Sequence, residues 1–178
     1  TDMVLRRALE GRGLTRPELA VVLSMAKMAL QDAIEKSAPA NDPLLEPQLF
    51  AAFPKPMQKV HADAIRAHRL RHEILATKIA NRIVNRLGPS IPVNLSEEEG
   101  VSLRQVGTAF LVSEQLLGLP KLWQRIEEAE VPEALRIELF QVAARSVRSH
   151  VSDILRSTGA ESTVSELVGQ LGPGVKKV

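Results

Sequence analysis

After Thr15, apolar residues fall at Leu19, Val22, Leu23, Ala26, Leu30 and Ala33, mostly in steps of three and four that gather them on one side of a 3.6-residue helix. Thr15 with Glu18 three residues on has capping-box spacing, and Pro17 falls in the first turn, where its missing N–H costs nothing. The spacing predicts a helix that ends before "SAPANDP". A short helix follows from Pro47 to Ala52, which Pro54 and Pro56 stop. From Met57 no breaker occurs until Gly88 and Pro89, so this stretch reads as one long helix or as two joined near His68, with Gly88 as a left-handed cap.

"IPVNL" reads as an extended linker, with Ser96 and Glu99 spaced as a capping box behind it. Ser102 and Gln105 repeat the device before Val106, Phe110, Ser113 and Leu117. A short helix around Trp123, the one Trp, comes next, and Pro132 opens the last long helix. Its seam of Ile137, Phe140, Ala144, Val147, Val151 and Ile154 steps by three and four, which suits a partner helix crossing at a shallow angle. The pattern predicts an all-α fold, an irregular up-down bundle of about five to seven helices with a central long helix. A helical domain is expected over 1–157 and a weakly helical or disordered tail over 158–178, with at most a turn or two of helix between Val164 and Leu171.

Composition sharpens this picture. Aromatics are 3% of the chain and Tyr is absent, which disfavours pleated surfaces. The lack of Cys excludes disulfides, thiolate chemistry and cysteine-based zinc sites, and fits a reducing compartment, so a cytoplasmic location is expected. The most apolar window, Glu18 to Ile34, contains Lys27 and Asp32 and falls short of a membrane span. A formal net charge of +2 is too small to hold a polyanion by itself. Nucleic acid is therefore not expected as a partner. The chain opens at Thr1 directly on the helical-looking "DMVLRRALEG", which reads as a piece of a longer chain; processing is the other reading.

The segment "HRLRHEILATKIANRIVNRLG" from His68 to Gly88 carries the most chemistry. On a helical wheel Leu70, Ile74, Thr77, Asn81, Val84 and Asn85 share one face, and Leu75, Ile79 and Ile83 the opposite one. A helix apolar on two sides belongs between neighbours. Arg71, Lys78, Arg82 and Arg86 form a basic stripe, which reads as a solvated edge whose stems cover apolar surface, with phosphate contact as the alternative. Asn81 and Asn85 read as structural amides bonded across helices, with a ligand amide as the alternative.

Other chemistry is weaker. His61, His68 and His72 share a face only if the helix is continuous, and "HRLRH" lacks the Glu of a zinc hydrolase motif. Glu97, Glu98 and Glu99 read as helix-dipole acids behind Ser96. "GQLGPG" at Gly169–Gly174 has neither the strand nor the helix of a dinucleotide loop. No catalytic, cofactor-binding or metal residue is identified. On the first helix, Val21, Met25 and Met28 form a second apolar row. It is read as an interdomain contact, or else as a surface covered by the Pro47–Ala52 helix.

Three stretches together, "GLTRPELAVVLSMAKMAL" (Gly13–Leu30), "FPKPM" (Phe53–Met57) and His68–Gly88, resemble the C-terminal region of the large NAD-specific glutamate dehydrogenases of bacteria. The resemblance covers Leu5 to Leu155. Family members commonly carry Tyr where this chain has Met25 and Phe110, and the connection before Val131 is short. The resemblance implies a parent enzyme that oxidises glutamate to 2-oxoglutarate and ammonia with NAD, its catalytic motifs lying upstream of this chain. The implied partners are the rest of that chain and further copies of the parent. The competing reading is a free-standing adaptor or nucleic-acid module that uses the Arg71/Lys78/Arg82/Arg86 stripe.

Overall fold

A computed structural model describes residues 6–7, 9–36, 42–159 and 162–175. Among them ten α-helices are delimited, more than the five to seven expected, and no strand occurs. The all-α bundle stands. The helices are α1 (Arg16–Glu35), α2 (Glu46–Phe50), α3 (Lys55–Val60), α4 (Ala62–Arg66), α5 (Arg71–Leu87), α6 (Ile91–Glu99), α7 (Leu103–Leu117), α8 (Leu119–Glu128), α9 (Glu133–Ser157) and α10 (Val164–Val175).

Local chemistry sets the boundaries of the long helices. The Glu18 carboxylate accepts from both the N–H and the hydroxyl of Thr15 at 2.7 Å, closing the first turn of α1. Those bonds, more than the nearby Arg7 guanidinium, hold the Glu18 carboxyl below its ordinary range. At α7, Gln105 Oε1 accepts from Ser102 N–H and Oγ, while Gln105 N–H donates back to Ser102 Oγ. Pro132 caps α9, whose 25 residues make it the longest helix. Arg136 donates to the Ala129 carbonyl at 3.0 Å and so pins the short connection ahead of Val131.

Several expectations need correction. The stretch from Met57 is three helices, interrupted at His61, where φ is −121° and ψ 33°, and again at 67–70. At the second break His68 Nδ1 accepts from Leu70 N–H and the His68 ring meets Phe53 edge-on at 5.5 Å. "IPVNL" is the start of α6 rather than a linker, because Pro92 sits in the first turn and Gly100, at φ 64° and ψ 34°, ends the helix. Glu97–Glu99 therefore lie at the C-terminal end of α6, on the wrong side of the dipole, and Ser96 bonds forward to the Val101 carbonyl instead of capping. Gly88 has φ 97° but an extended ψ of 165°, so it leaves the helix without a left-handed turn.

A last correction concerns the residues after Ser157. They carry the twelve-residue helix α10, which packs on α7 and buries Val164 and Leu167. The buried Asp42 carboxylate accepts from the Ser165 N–H at 3.0 Å and from the Ser165 hydroxyl, tying α10 to a loop 123 positions earlier. That tertiary bond, invisible to periodicity, supplies what local propensity lacks. Residues 176–178, the far end of the expected tail, lie outside the described residues.

Helix α5 is central as expected, meeting α1, α2, α6, α7 and α9. It is more one-sided than the wheel implied: Leu75, Ala76, Ile79, Ala80, Ile83, Val84 and Leu87 are buried, whereas Thr77 and Asn85 are exposed. Helix α7 is the more enclosed, with Val106, Gly107 and every residue from Ala109 to Glu114 buried. A Cβ on Gly107 would stand 3.1 Å from Ile34 Cγ1, so the missing side chain is what lets α1 cross α7 closely. The α9 seam is buried at Val147, Val151 and Ile154 but exposed at Ile137. That end is met by the short α8, whose Trp123 stacks on Phe140 at 6.2 Å.

Candidate functional site

The stripe on α5 is anchored to the fold. Arg82 reaches back to α7, where its Nε lies 2.8 Å from Glu114 Oε1, and its Nη2 donates to Gln48 of α2 at 2.8 Å. The Arg82–Glu114 approach is a close charge contact whose alignment falls short of a good hydrogen bond. Glu114 has only 3% of its side chain exposed. Burial pushes its carboxyl above the ordinary range, against the pull of Arg82 and, more weakly, Arg86. Arg86 pairs with Glu127 at 2.7 Å and lies over the rings of Trp123 (5.3 Å) and Phe140 (5.7 Å). Lys78 makes one long contact, 3.3 Å to the Ala51 carbonyl. Arg71 is half-buried.

The reading of this stripe as a solvated edge is therefore too bland at two positions: Arg82 and Arg86 join α5 to α2, α7 and α8. Glu114 was not among the candidate residues. A signal was present, since Glu114 follows an unbroken apolar run, Ala109 to Val112, and lies four residues after Phe110, on the buried side of the same helix.

Asn81 is half-buried and Asn85 exposed, and neither side-chain amide makes a hydrogen bond among the described residues. Together with Lys78, Arg82 and Arg86 they line an open concavity of about 550 Å³. The three histidines do not form a row, because the breaks at His61 and 67–70 separate them. Among the described residues no group of three or more His, Cys, Asp or Glu could hold a metal ion. Nor is any described helix long and apolar enough to cross a membrane.

The acids that follow "IPVNL" have a structural role. Glu98 pairs with Arg148 at 2.5 Å, and Glu99 takes two bonds from Arg156 and one from the Ser152 hydroxyl, joining α6 to α9. Those partners, Arg156 first, hold the Glu99 carboxyl below its ordinary range.

On α1 the second apolar row is open: Val21, Met25 and Met28 are 48%, 50% and 68% exposed. The short α2 helix packs on α4 and α5 and leaves the row uncovered. Between α7, α9 and α10 lies a cavity of about 250 Å³ with Leu116, Ile154 and Leu171 in its wall and His150 and Asp153 among its polar residues.

These features describe a packed helical unit with an uncovered apolar row and a cation-lined hollow. Comparison with known proteins places it. The family model described as "Glutamate dehydrogenase, C-terminal" matches residues 11–178. The chain belongs to this family. It is 33% identical over 176 residues to the NAD-specific glutamate dehydrogenase of Pseudomonas aeruginosa, covering 98% of this chain and 11% of that protein. The enzymes of the same name from Halomonas elongata and Mycobacterium tuberculosis are each 28% identical, covering 83% and 74% of this chain and 10% and 8% of their own lengths. The chain thus spans about a tenth of the curated relatives it matches. The match also runs through α10, beyond the Leu155 limit of the sequence resemblance.

Proposed function

We propose that this chain is the C-terminal helical domain of an NAD-dependent glutamate dehydrogenase and supports the catalytic core or the assembly of the enzyme. In this reading the remainder of the parent polypeptide binds NAD, converts glutamate to 2-oxoglutarate and ammonia, and works as a homo-oligomer in the cytoplasm. No catalytic or cofactor-binding residue is assigned within 1–178. The observation that carries the reading is the uncovered row of Val21, Met25 and Met28, in a chain one-tenth the length of its relatives. Exposed methionines on a helix adapt readily to an apolar partner surface, and such a row in water alone has no compensating role.

The docking of this row onto the rest of the parent enzyme is tested by Met25→Glu with Met28→Glu. In the full-length enzyme the double change lowers activity or assembly, while the 178-residue chain keeps its helical circular dichroism and melting temperature. Unfolding of the short chain would show that the row belongs to its own core. Unaltered assembly and activity of the full-length variant would remove the interdomain contact.

A further inference from the structure

The concavity on α5 has an unusual lining. Its walls are Lys78, Asn81, Arg82, Asn85 and Arg86, with no carboxylate and no apolar side chain among them. Three cations face the hollow, and although two of them are paired with carboxylates outside it, the group keeps a net positive charge. Glu114 and Glu127, which pair with two of these cations, are not part of the lining. We propose that this concavity binds a small anion bearing two oxyanion groups, phosphates or carboxylates. The proposal stands apart from the docking of α1.

Spacing is the first argument. Lys78, Arg82 and Arg86 follow one another at four-residue intervals, each advancing about 6 Å along one face of α5. A single oxyanion group would engage one or two of them, whereas an anion with two such groups engages all three. Preorganisation is the second. The Arg82 guanidinium is held by Glu114 and Gln48, and that of Arg86 by Glu127 and the faces of Trp123 and Phe140. These contacts occupy part of each five-donor fork and leave its other N–H groups for a ligand. Side chains already fixed lose little rotamer freedom on binding, which is the usual cost at a surface cation.

The amides are the third argument. The side-chain amides of Asn81 and Asn85 stand between the cations and make no hydrogen bond to another side chain or backbone group among the described residues, so both can donate to oxyanion oxygens and fix an orientation that charge alone does not. Arg71, the fourth member of the basic stripe, does not line the hollow. The cationic track thus ends after three residues, too short for a nucleic-acid strand and suited to a compact ligand.

Calorimetric titration of the 178-residue chain with inorganic pyrophosphate, glutarate, orthophosphate and acetate tests this. Pyrophosphate or glutarate is expected to bind saturably at one site, at least about tenfold more tightly than its one-group counterpart. Preference for pyrophosphate identifies phosphate as the recognised group, and preference for glutarate identifies carboxylate. Lys78→Gln and Asn85→Asp, both at positions outside the core, should each weaken that binding by about tenfold or more with an unchanged circular dichroism spectrum. Lys55→Gln, at an exposed position away from the hollow, should leave it unchanged. Absence of saturable binding overturns the proposal. So does equal affinity for the one-group anions, or indifference to Lys78→Gln and Asn85→Asp, each of which would reduce the effect to screening of surface charge.

Discussion

Replacing Arg82 with Ala strands the Glu114 carboxylate, 3% exposed, inside the bundle. Breaking a buried pair by removing one partner costs about 3–5 kcal/mol when the remaining charge stays ionised. Glu114 has an escape, because it can take up a proton, and its carboxyl is already raised by burial. Neutralising a carboxyl of ordinary unfolded-state affinity costs at most about 4 kcal/mol at pH 7 and about 1 kcal/mol at pH 5. Losing the bond to Gln48 adds about 1 kcal/mol at either pH. The sign follows from proton binding: a carboxyl raised in the folded state binds more protons there than in the unfolded chain, so stability falls as pH rises above the ordinary carboxylate value. Removing Arg82 raises that carboxyl further and steepens the fall. Urea unfolding followed by circular dichroism should thus show Arg82→Ala weaker than the parent by about 3–5 kcal/mol at pH 7 and by about 1–2 kcal/mol at pH 5. Asn81→Leu, at a half-buried position whose side chain bonds to none of the described residues, should change stability by less than about 1 kcal/mol. This inverts the order that a solvated Arg82 and a bonded Asn81 would give. A deficit for Arg82→Ala below about 0.5 kcal/mol at pH 7, or one independent of pH, would refute the reasoning.

Two further predictions concern the joints of the bundle. Ending the chain at Ser157 removes the buried Val164 and Leu167 and the Asp42–Ser165 tie, so thermal melting should fall by the equivalent of about 3–6 kcal/mol, and an unchanged melting temperature would show α10 to be dispensable. Glu99 is held below its ordinary range chiefly by Arg156, so its stabilising contribution is present above the ordinary carboxylate value and is lost as pH falls through the lowered one; Arg156→Gln should flatten the acid side of the stability profile, and identical acid unfolding of the two proteins would contradict this.

What was legible in the sequence is what local chemistry writes. Thr15 with Glu18, Ser102 with Gln105 and the lone Pro132 each placed a helix start, because caps act within four residues of chain. The three-and-four spacing of Val147, Val151 and Ile154 identified a core seam for the same reason. The break at His61 was not legible, since "VHADAI" is as helical by propensity as its neighbours. Pro92 misled in the opposite direction: a Pro beside β-branched residues reads as extended until it is seen to occupy a first turn. Helix α10 was underestimated because Gly and Pro weaken it locally and its partner, Asp42, lies on the far side of the sequence.

The candidate site divides along the same line. Charge spacing on α5 showed that Lys78, Arg82 and Arg86 share a face, and the wheel set Asn81 and Asn85 beside them. Nothing in the spacing revealed that Arg82 points at Glu114 or that Arg86 lies over Trp123, since these are contacts between helices. Such pairings emerge only when the core positions of α5, α7 and α8 are brought together. The exposed Val21, Met25 and Met28 were visible as a second row, yet whether α2 covered them was a question only the packing of α2 on α4 and α5 could answer.

The proposed role of the chain within a larger glutamate dehydrogenase is tested most directly by separating the two and mixing them. The 178-residue chain and the remainder of the parent polypeptide, expressed apart, should form a complex that elutes together on gel filtration. Glutamate oxidation with NAD, weakened in the truncated enzyme, should recover on addition of the chain, and Met25→Glu with Met28→Glu should abolish both effects. A truncated enzyme that assembles and turns over like the full-length protein, and that ignores the added chain, would contradict the account.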